Sequence, residues 1–150
     1  MTDYILAARQ LSALTEGVNY DITNLANASA LLNEAMDRIN WVGFYLLRDG
    51  QLVLGPFQGK TACTVIAMGR GVCGTAAQRD EPVVVPDVHR FPGHIACDSA
   101  SRSEIVLPIH RGGSLYGVLD IDSPLENRFS DEDLQGLQTI VRILEQALSA

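Results

Sequence analysis

Two glycine turns constrain this sequence more than any other feature. Asp49-Gly50 separates the aromatic and apolar run Trp41-Val42-Gly43-Phe44-Tyr45-Leu46-Leu47 from a second run, Gln51 to Phe57, and Gly112-Gly113 separates Ser103 to Arg111 from Leu115 to Ser123. Asp-Gly and Gly-Gly pairs supply the positive φ angles of two-residue hairpin loops, so each pair of runs is predicted to be an antiparallel hairpin. Between the hairpins, Cys63 to Met68 reads as a further strand and Gly71 to Arg79 as a short helix. Pro82 to Pro86 reads as a brief strand whose prolines suit a sheet edge.

Helical spacing flanks this strand region. Tyr4, Leu6, Ala7 and Leu11 predict a first short helix. Asp21 is placed to cap a second, in which Ile22, Leu25, Ala26, Leu32, Ala35, Met36 and Ile39 recur on one side. The last helix has the clearest signal. Ser130 and Asp133 form a capping signature, Phe129 and Leu134 a hydrophobic staple, and Leu134, Leu137, Ile140, Val141, Leu144, Ala147 and Leu148 one apolar stripe. The expected architecture is α+β, one domain over 1–150, with helices in 1–39, the sheet and its loops in 41–123, and a terminal helix in 130–149.

Composition narrows what such a domain can do. Its 150 residues suffice for one core, and 47% hydrophobic residues exclude wholesale disorder. A net charge of −7 disfavours tracking a nucleic-acid backbone, which needs a basic face. No apolar run approaches the roughly 20 residues that cross a bilayer, so no membrane association is expected. Met1-Thr2-Asp3-Tyr4 lacks the positive start of a signal peptide. Three cysteines, with no C-x-x-C pair, argue against a secreted disulfide scaffold and for a reducing, cytoplasmic setting.

Strand alternation sorts the residues that could carry chemistry. In the last strand Leu115, Leu119 and Ile121 are expected on one face, and Tyr116, Val118, Asp120 and Asp122 on the other. Trp41 and Tyr45 alternate against Val42, Phe44 and Leu46, and Glu104 against Ile105, Leu107 and Ile109. Aromatics and acids would then share a helix-free face, as a solvated surface or as a site for a cationic group. Asp87 to Ser101 has no periodicity and contains His89, His94 and Cys97. A loop of this length is functional or disordered in most compact domains. Cys97, near His94 and Arg102, has cationic neighbours that favour a reactive thiolate, whereas a free cysteine elsewhere is ordinarily a small buried hydrophobe. His89, His94 and Cys97 do not have a standard zinc spacing, so no metal is expected.

Longer motifs add a family resemblance. Gly55-Pro56-Phe57-Gln58-Gly59, Ala62-Cys63, Gly69-Arg70-Gly71-Val72-Cys73-Gly74-Thr75-Ala76, Val84-Val85-Pro86-Asp87-Val88, the stretch from Phe91 through Cys97 and Glu104 to Val106, and Gly117-Val118-Leu119-Asp120-Ile121-Asp122-Ser123 closely resemble the free methionine-(R)-sulfoxide reductases, single GAF-domain enzymes. The resemblance implies a six-stranded antiparallel sheet with helices packed on one face and a loop-covered ligand pocket on the other. It implies reduction of free L-methionine-(R)-sulfoxide, with Cys97 as nucleophile, Cys63 as resolving thiol, and Cys73 as an auxiliary or alternative resolver. Glu104 would donate a proton, Asp122 sharing the role; Asp120 and Asp122 would hold the substrate ammonium; Trp41 and Tyr45 would wall the methyl group. No bound cofactor is implied. Thioredoxin, or dithiothreitol in vitro, would be the reductant, and a homodimer through the terminal helices is expected. The same fold would also serve a non-catalytic sensor of a small ligand or a dimerisation module, because fold does not determine function.

Overall fold

Both glycine turns form as expected. Asp49 and Gly50 have φ of 53° and 78°, and Gly112 and Gly113 have 60° and 81°. These angles match the right-handed twist of the strands that they join. The computed structural model describes residues 1–94 and 100–148. Two helices, α1 (Tyr4–Thr15) and α2 (Asp21–Ala35), precede β1 (Trp41–Arg48), β2 (Gln51–Gly59) and β3 (Val65–Ala67). Then come α3 (Gly71–Arg79), β4 (Val83–Val85), a single helical turn at Val88–Arg90, β5 (Ser103–Arg111), β6 (Ser114–Ser123) and α4 (Asp131–Leu148). The strands form one sheet in the order β3-β2-β1-β6-β5-β4, with every neighbouring pair antiparallel. The proline-bounded β4 is an edge strand, where a missing backbone donor costs least.

The sheet has a core on each face. Val42, Phe44, Ile105, Leu107, Leu119 and Ile121 meet α1, α2 and α4 on one side. Trp41, Tyr45, Val106 and Val118 meet Val72, Cys73, Ala76 and Ala77 of α3 on the other. The second face is therefore not free of helices, as alternation alone suggested. The small residues of α3 let it lie close to the sheet. A Cβ on Gly74 would stand 2.5 Å from the Ala67 carbonyl oxygen, so glycine is what seats α3 against the end of β3.

Four local expectations change. Tyr116 joins the helix-side core and Leu115 the opposite one, the reverse of strict alternation. Ile109 pairs with Gly117 and His110 with Leu115, leaving Tyr116 as the extra residue of a bulge that turns over the side chains before it. Asp21 begins α2 rather than capping it; its Oδ2 accepts hydrogen bonds from Arg111 Nη1 (3.0 Å) and Tyr116 Oη (3.2 Å), tying α2 to the second hairpin. The helix stops at Ala35, so Met36 and Ile39 pack on the core from outside it, while Leu6 and Ile22 face outward. The third strand is shorter than Cys63 to Met68, because β3 pairs with β2 only from Val65 to Ala67, and Cys63 lies in the preceding loop.

The terminal helix begins as its capping signature indicates. Ser130 Oγ accepts from the Asp133 backbone N–H (3.2 Å), and Asp133 Oδ2 accepts from the Ser130 N–H (2.9 Å). Asp133 also accepts from Tyr4 Oη (2.7 Å) and Arg128 Nη1 (3.1 Å), which fastens α1 to α4.

Candidate active site

Register across three strands builds the site. Glu104 on β5 pairs with Asp122 on β6, and Asp122 pairs with Trp41 on β1. Two residues back, Asp120 pairs with Gly43, where a Cβ would collide with Phe57 of β2. Glu104, Asp120, Asp122, Trp41 and Tyr45 therefore share one face, and all five line one cavity. The solvated-surface reading fails for Glu104 and Asp120, which are only 7% and 5% exposed. Asp122 is half-buried.

Hydrogen bonds and stacking hold the aromatic wall. Trp41 stacks between Tyr45 and Phe57, with ring centroids at 5.9 Å and 5.2 Å. Its indole N–H donates to the Lys60 carbonyl (3.1 Å). Tyr45 Oη donates to the carbonyl of Cys63 (2.9 Å), anchoring the loop before β3 beside the cavity. Both polar tips of the aromatics are thus satisfied away from the acids.

Burial sets the protonation of the site. Glu104 is pushed well above the ordinary carboxylate range, first by desolvation and then by the charges of Asp120 and Asp122. Asp120 is also raised by burial, although hydrogen bonds with Glu104, Cys73 and Asp122 oppose the shift. Crowded carboxyls in a dry site cannot all ionise, so they share protons and titrate as a unit. The Cys73 thiol donates to Glu104 Oε2 at 3.9 Å and is itself held well above a normal thiol by burial and then by Asp120, Glu104 and Asp122. A thiol so placed is a poor nucleophile.

The three cysteines occupy different surroundings. Cys73 is free and buried on α3. Cys63 is disulfide-bonded. Cys97 lies outside the described residues. His89 and His94 approach edge to face, with ring centroids 6.3 Å apart, and Asp87 Oδ1 accepts from the His89 N–H (3.1 Å), capping the Val88–Arg90 turn. His94 is shifted below its ordinary value by burial and then by His89.

Sequence reasoning missed part of the lining. Thr61, Ile66, Arg70, Val72 and Ser101 also face the cavity, Arg70 from the residue before α3. The Gly69-Arg70-Gly71 motif marked this turn without saying which way the arginine points. Ser101 accepts from Asn40 Nδ2 (3.1 Å), a contact between residues 61 apart that no local pattern reveals.

The GAF domain family matches residues 11–148. The free methionine-R-sulfoxide reductase of Escherichia coli (strain K12) is 56% identical over 141 residues, covering 94% of this chain and 86% of that protein. Protein YtsP of Bacillus subtilis (strain 168) is 54% identical over 149 residues, covering 98% and 91%. Among solved structures, fRMsr of Staphylococcus aureus in complex with substrate superposes with a TM-score of 0.96 at 51% identity, covering 99% of this chain and 97% of that one.

Proposed function

This chain belongs to the GAF-domain family of free methionine-R-sulfoxide reductases, and we propose that it reduces free L-methionine-(R)-sulfoxide to L-methionine through cysteine sulfenic acid chemistry. One observation carries the reading: a buried, proton-holding carboxyl cluster faces an aromatic wall inside one cavity. A sulfoxide needs both halves of that arrangement, a donor for its oxygen and an apolar surface for its methyl group.

In the proposed reaction the Cys97 thiolate attacks the sulfoxide sulfur while Glu104, kept protonated by its surroundings, protonates the oxygen, with Asp122 sharing the role. The sulfur–oxygen bond to methionine breaks, methionine leaves reduced, and Cys97 keeps the oxygen as a sulfenic acid. The Cys63 thiol displaces that oxygen as water and forms a disulfide, which the thioredoxin dithiol reduces by exchange. The disulfide-bonded state of Cys63, beside a free Cys73, supports Cys63 over Cys73 as the resolving thiol. Asp120 and Asp122 offer negative charge to a substrate ammonium, and Trp41 and Tyr45 confine the methyl group and so select the hand at sulfur. A peptide-bound methionine sulfoxide lacks the free ammonium.

The exposed Ile5, Leu6, Leu14, Tyr20 and Ile22 on and beside the N-terminal helices support pairing of two copies there. No helix among the described residues is long and apolar enough to cross a membrane, which is consistent with action in the reducing cytoplasm. The test is methionine formation from the separated R and S epimers with dithiothreitol or thioredoxin. Turnover of the R epimer alone is expected; equal use of both epimers, or binding without turnover as in a sensor, would overturn the proposal.

A further inference from the structure

The acidic pocket contains more donor atoms than proton donation requires. The ligand atoms of Cys73, Glu104 and Asp120 all lie within 4.8 Å of one another, and each residue is more than nine-tenths buried. Although the Asp120 carboxyl hydrogen-bonds with Glu104, Cys73 and Asp122, its Oδ1 is buried and has no hydrogen-bond partner of its own. An acceptor desolvated in this way is costly unless something fills it. Asp120 lines the cavity, so the unfilled acceptor belongs to a side chain of its wall.

The donor chemistry selects the occupant. Mg²⁺ and Ca²⁺ take oxygen ligands, and a sulfur donor works against them. One thiolate with two carboxylate oxygens suits a borderline-soft divalent ion that accepts a tetrahedral site, and three protein ligands leave a fourth position open. Three different elements supply the ligands: α3 provides Cys73, β5 Glu104 and β6 Asp120. Gly74 positions the first of them by letting α3 approach β3. The exposed Thr61 and Arg70 line the same cavity and give it an opening to solvent.

We infer that this pocket binds a divalent cation of the zinc type on Cys73, Glu104 and Asp120, and that the bound ion shuts out the sulfoxide. Binding forms one metal–sulfur and two metal–oxygen bonds, releases to solvent the Cys73 proton together with the proton held between the Glu104 and Asp120 carboxyls, and involves no change of oxidation state. The exclusion rests on the substrate site proposed above, because the ion takes Glu104 and Asp120 away from that role. The metal site itself does not depend on it.

Co²⁺ provides the probe, since its thiolate complexes absorb by sulfur-to-metal charge transfer. The full chain carrying Cys63→Ser and Cys97→Ser keeps Cys73 as its one thiol. Titration should develop the charge-transfer band and saturate at one Co²⁺ per chain, and Zn²⁺ should then abolish the band by displacement. Adding Cys73→Ser should remove the band, and the isosteric Asp120→Asn should weaken binding roughly tenfold or more. Free methionine-R-sulfoxide should raise the apparent dissociation constant. Absence of the band, its survival in Cys73→Ser, or unchanged affinity in Asp120→Asn would overturn the metal site. Co²⁺ bound with the expected variant pattern but not displaced by sulfoxide would leave the site standing and remove the substrate assignment instead.

Discussion

Glu104 shows how position, rather than residue type, sets the protonation of a carboxyl, and so suits it to the proposed role of proton donor. Its carboxyl is ordinary in sequence and becomes a proton reservoir only because β5 buries it against Asp120 and Asp122. Glu104→Gln keeps the shape but has no transferable proton, so kcat should fall about 100-fold or more with a smaller change in KM, read by steady-state methionine release. The sign of the pH effect follows from the same shift. The donor is competent below its raised pKa, so kcat should decline as pH rises through that value, and Glu104→Gln should flatten this limb. Cys73→Ser should keep most thioredoxin-linked turnover, because burial and three carboxyls hold that thiol protonated. Loss of recycling in Cys73→Ser with normal recycling in Cys63→Ser would exchange the two roles.

Elements were legible in the sequence where a local rule governs them. Both glycine turns, the capped α4, the short α3 and the edge strand β4 follow from turn chemistry, capping and proline placement. The Tyr116 bulge, the end of α2 and the path of Arg70 into the cavity were not legible, because partners distant in the chain decide them. Alternation still aligned Glu104, Asp120, Asp122, Trp41 and Tyr45 correctly, since the bulge lies beyond them on the far side of Gly117. The cap of α4 makes its own prediction. Burial pushes Asp133 up, but hydrogen bonds from Ser130 and Tyr4, together with the Arg128 charge, outweigh it and leave Asp133 below its ordinary value. A depressed carboxylate contributes stability that is present above its unfolded pKa and lost as pH falls through the folded one. Asp133→Ala should therefore destabilise by about 3 kcal/mol near neutral pH, with the difference shrinking in acid, measured by urea unfolding across pH.

At the scale of the whole molecule, the sheet divides its labour. One face buries an apolar core under α1, α2 and α4, while the other contains unfavourable crowding of acids beneath α3. Such crowding should weaken the fold. Glu104 has a raised folded pKa, so the folded state binds more protons than the unfolded chain once pH exceeds the unfolded value, and stability falls as pH rises through that window. Glu104→Gln should thus unfold at higher urea than the parent at neutral pH, and the gain should vanish in acid below the unfolded pKa. An active variant stabilised in this way would separate the acid cluster from catalysis; an inactive, more stable one fits a site that gives up stability for chemistry.

Under the proposed mechanism, oxygen leaves the substrate on Cys97 and Cys63 then clears it. The most direct measurement is a quenched single-turnover experiment on Cys63→Ser with the R epimer and thioredoxin, counting methionine per chain. About one methionine should appear in a burst and then stop, because the sulfenic acid forms without a resolving thiol and thioredoxin meets no disulfide. Cys97→Ser should release none under the same conditions. Sustained turnover in Cys63→Ser with thioredoxin, or a burst of methionine from Cys97→Ser, would contradict the assignment.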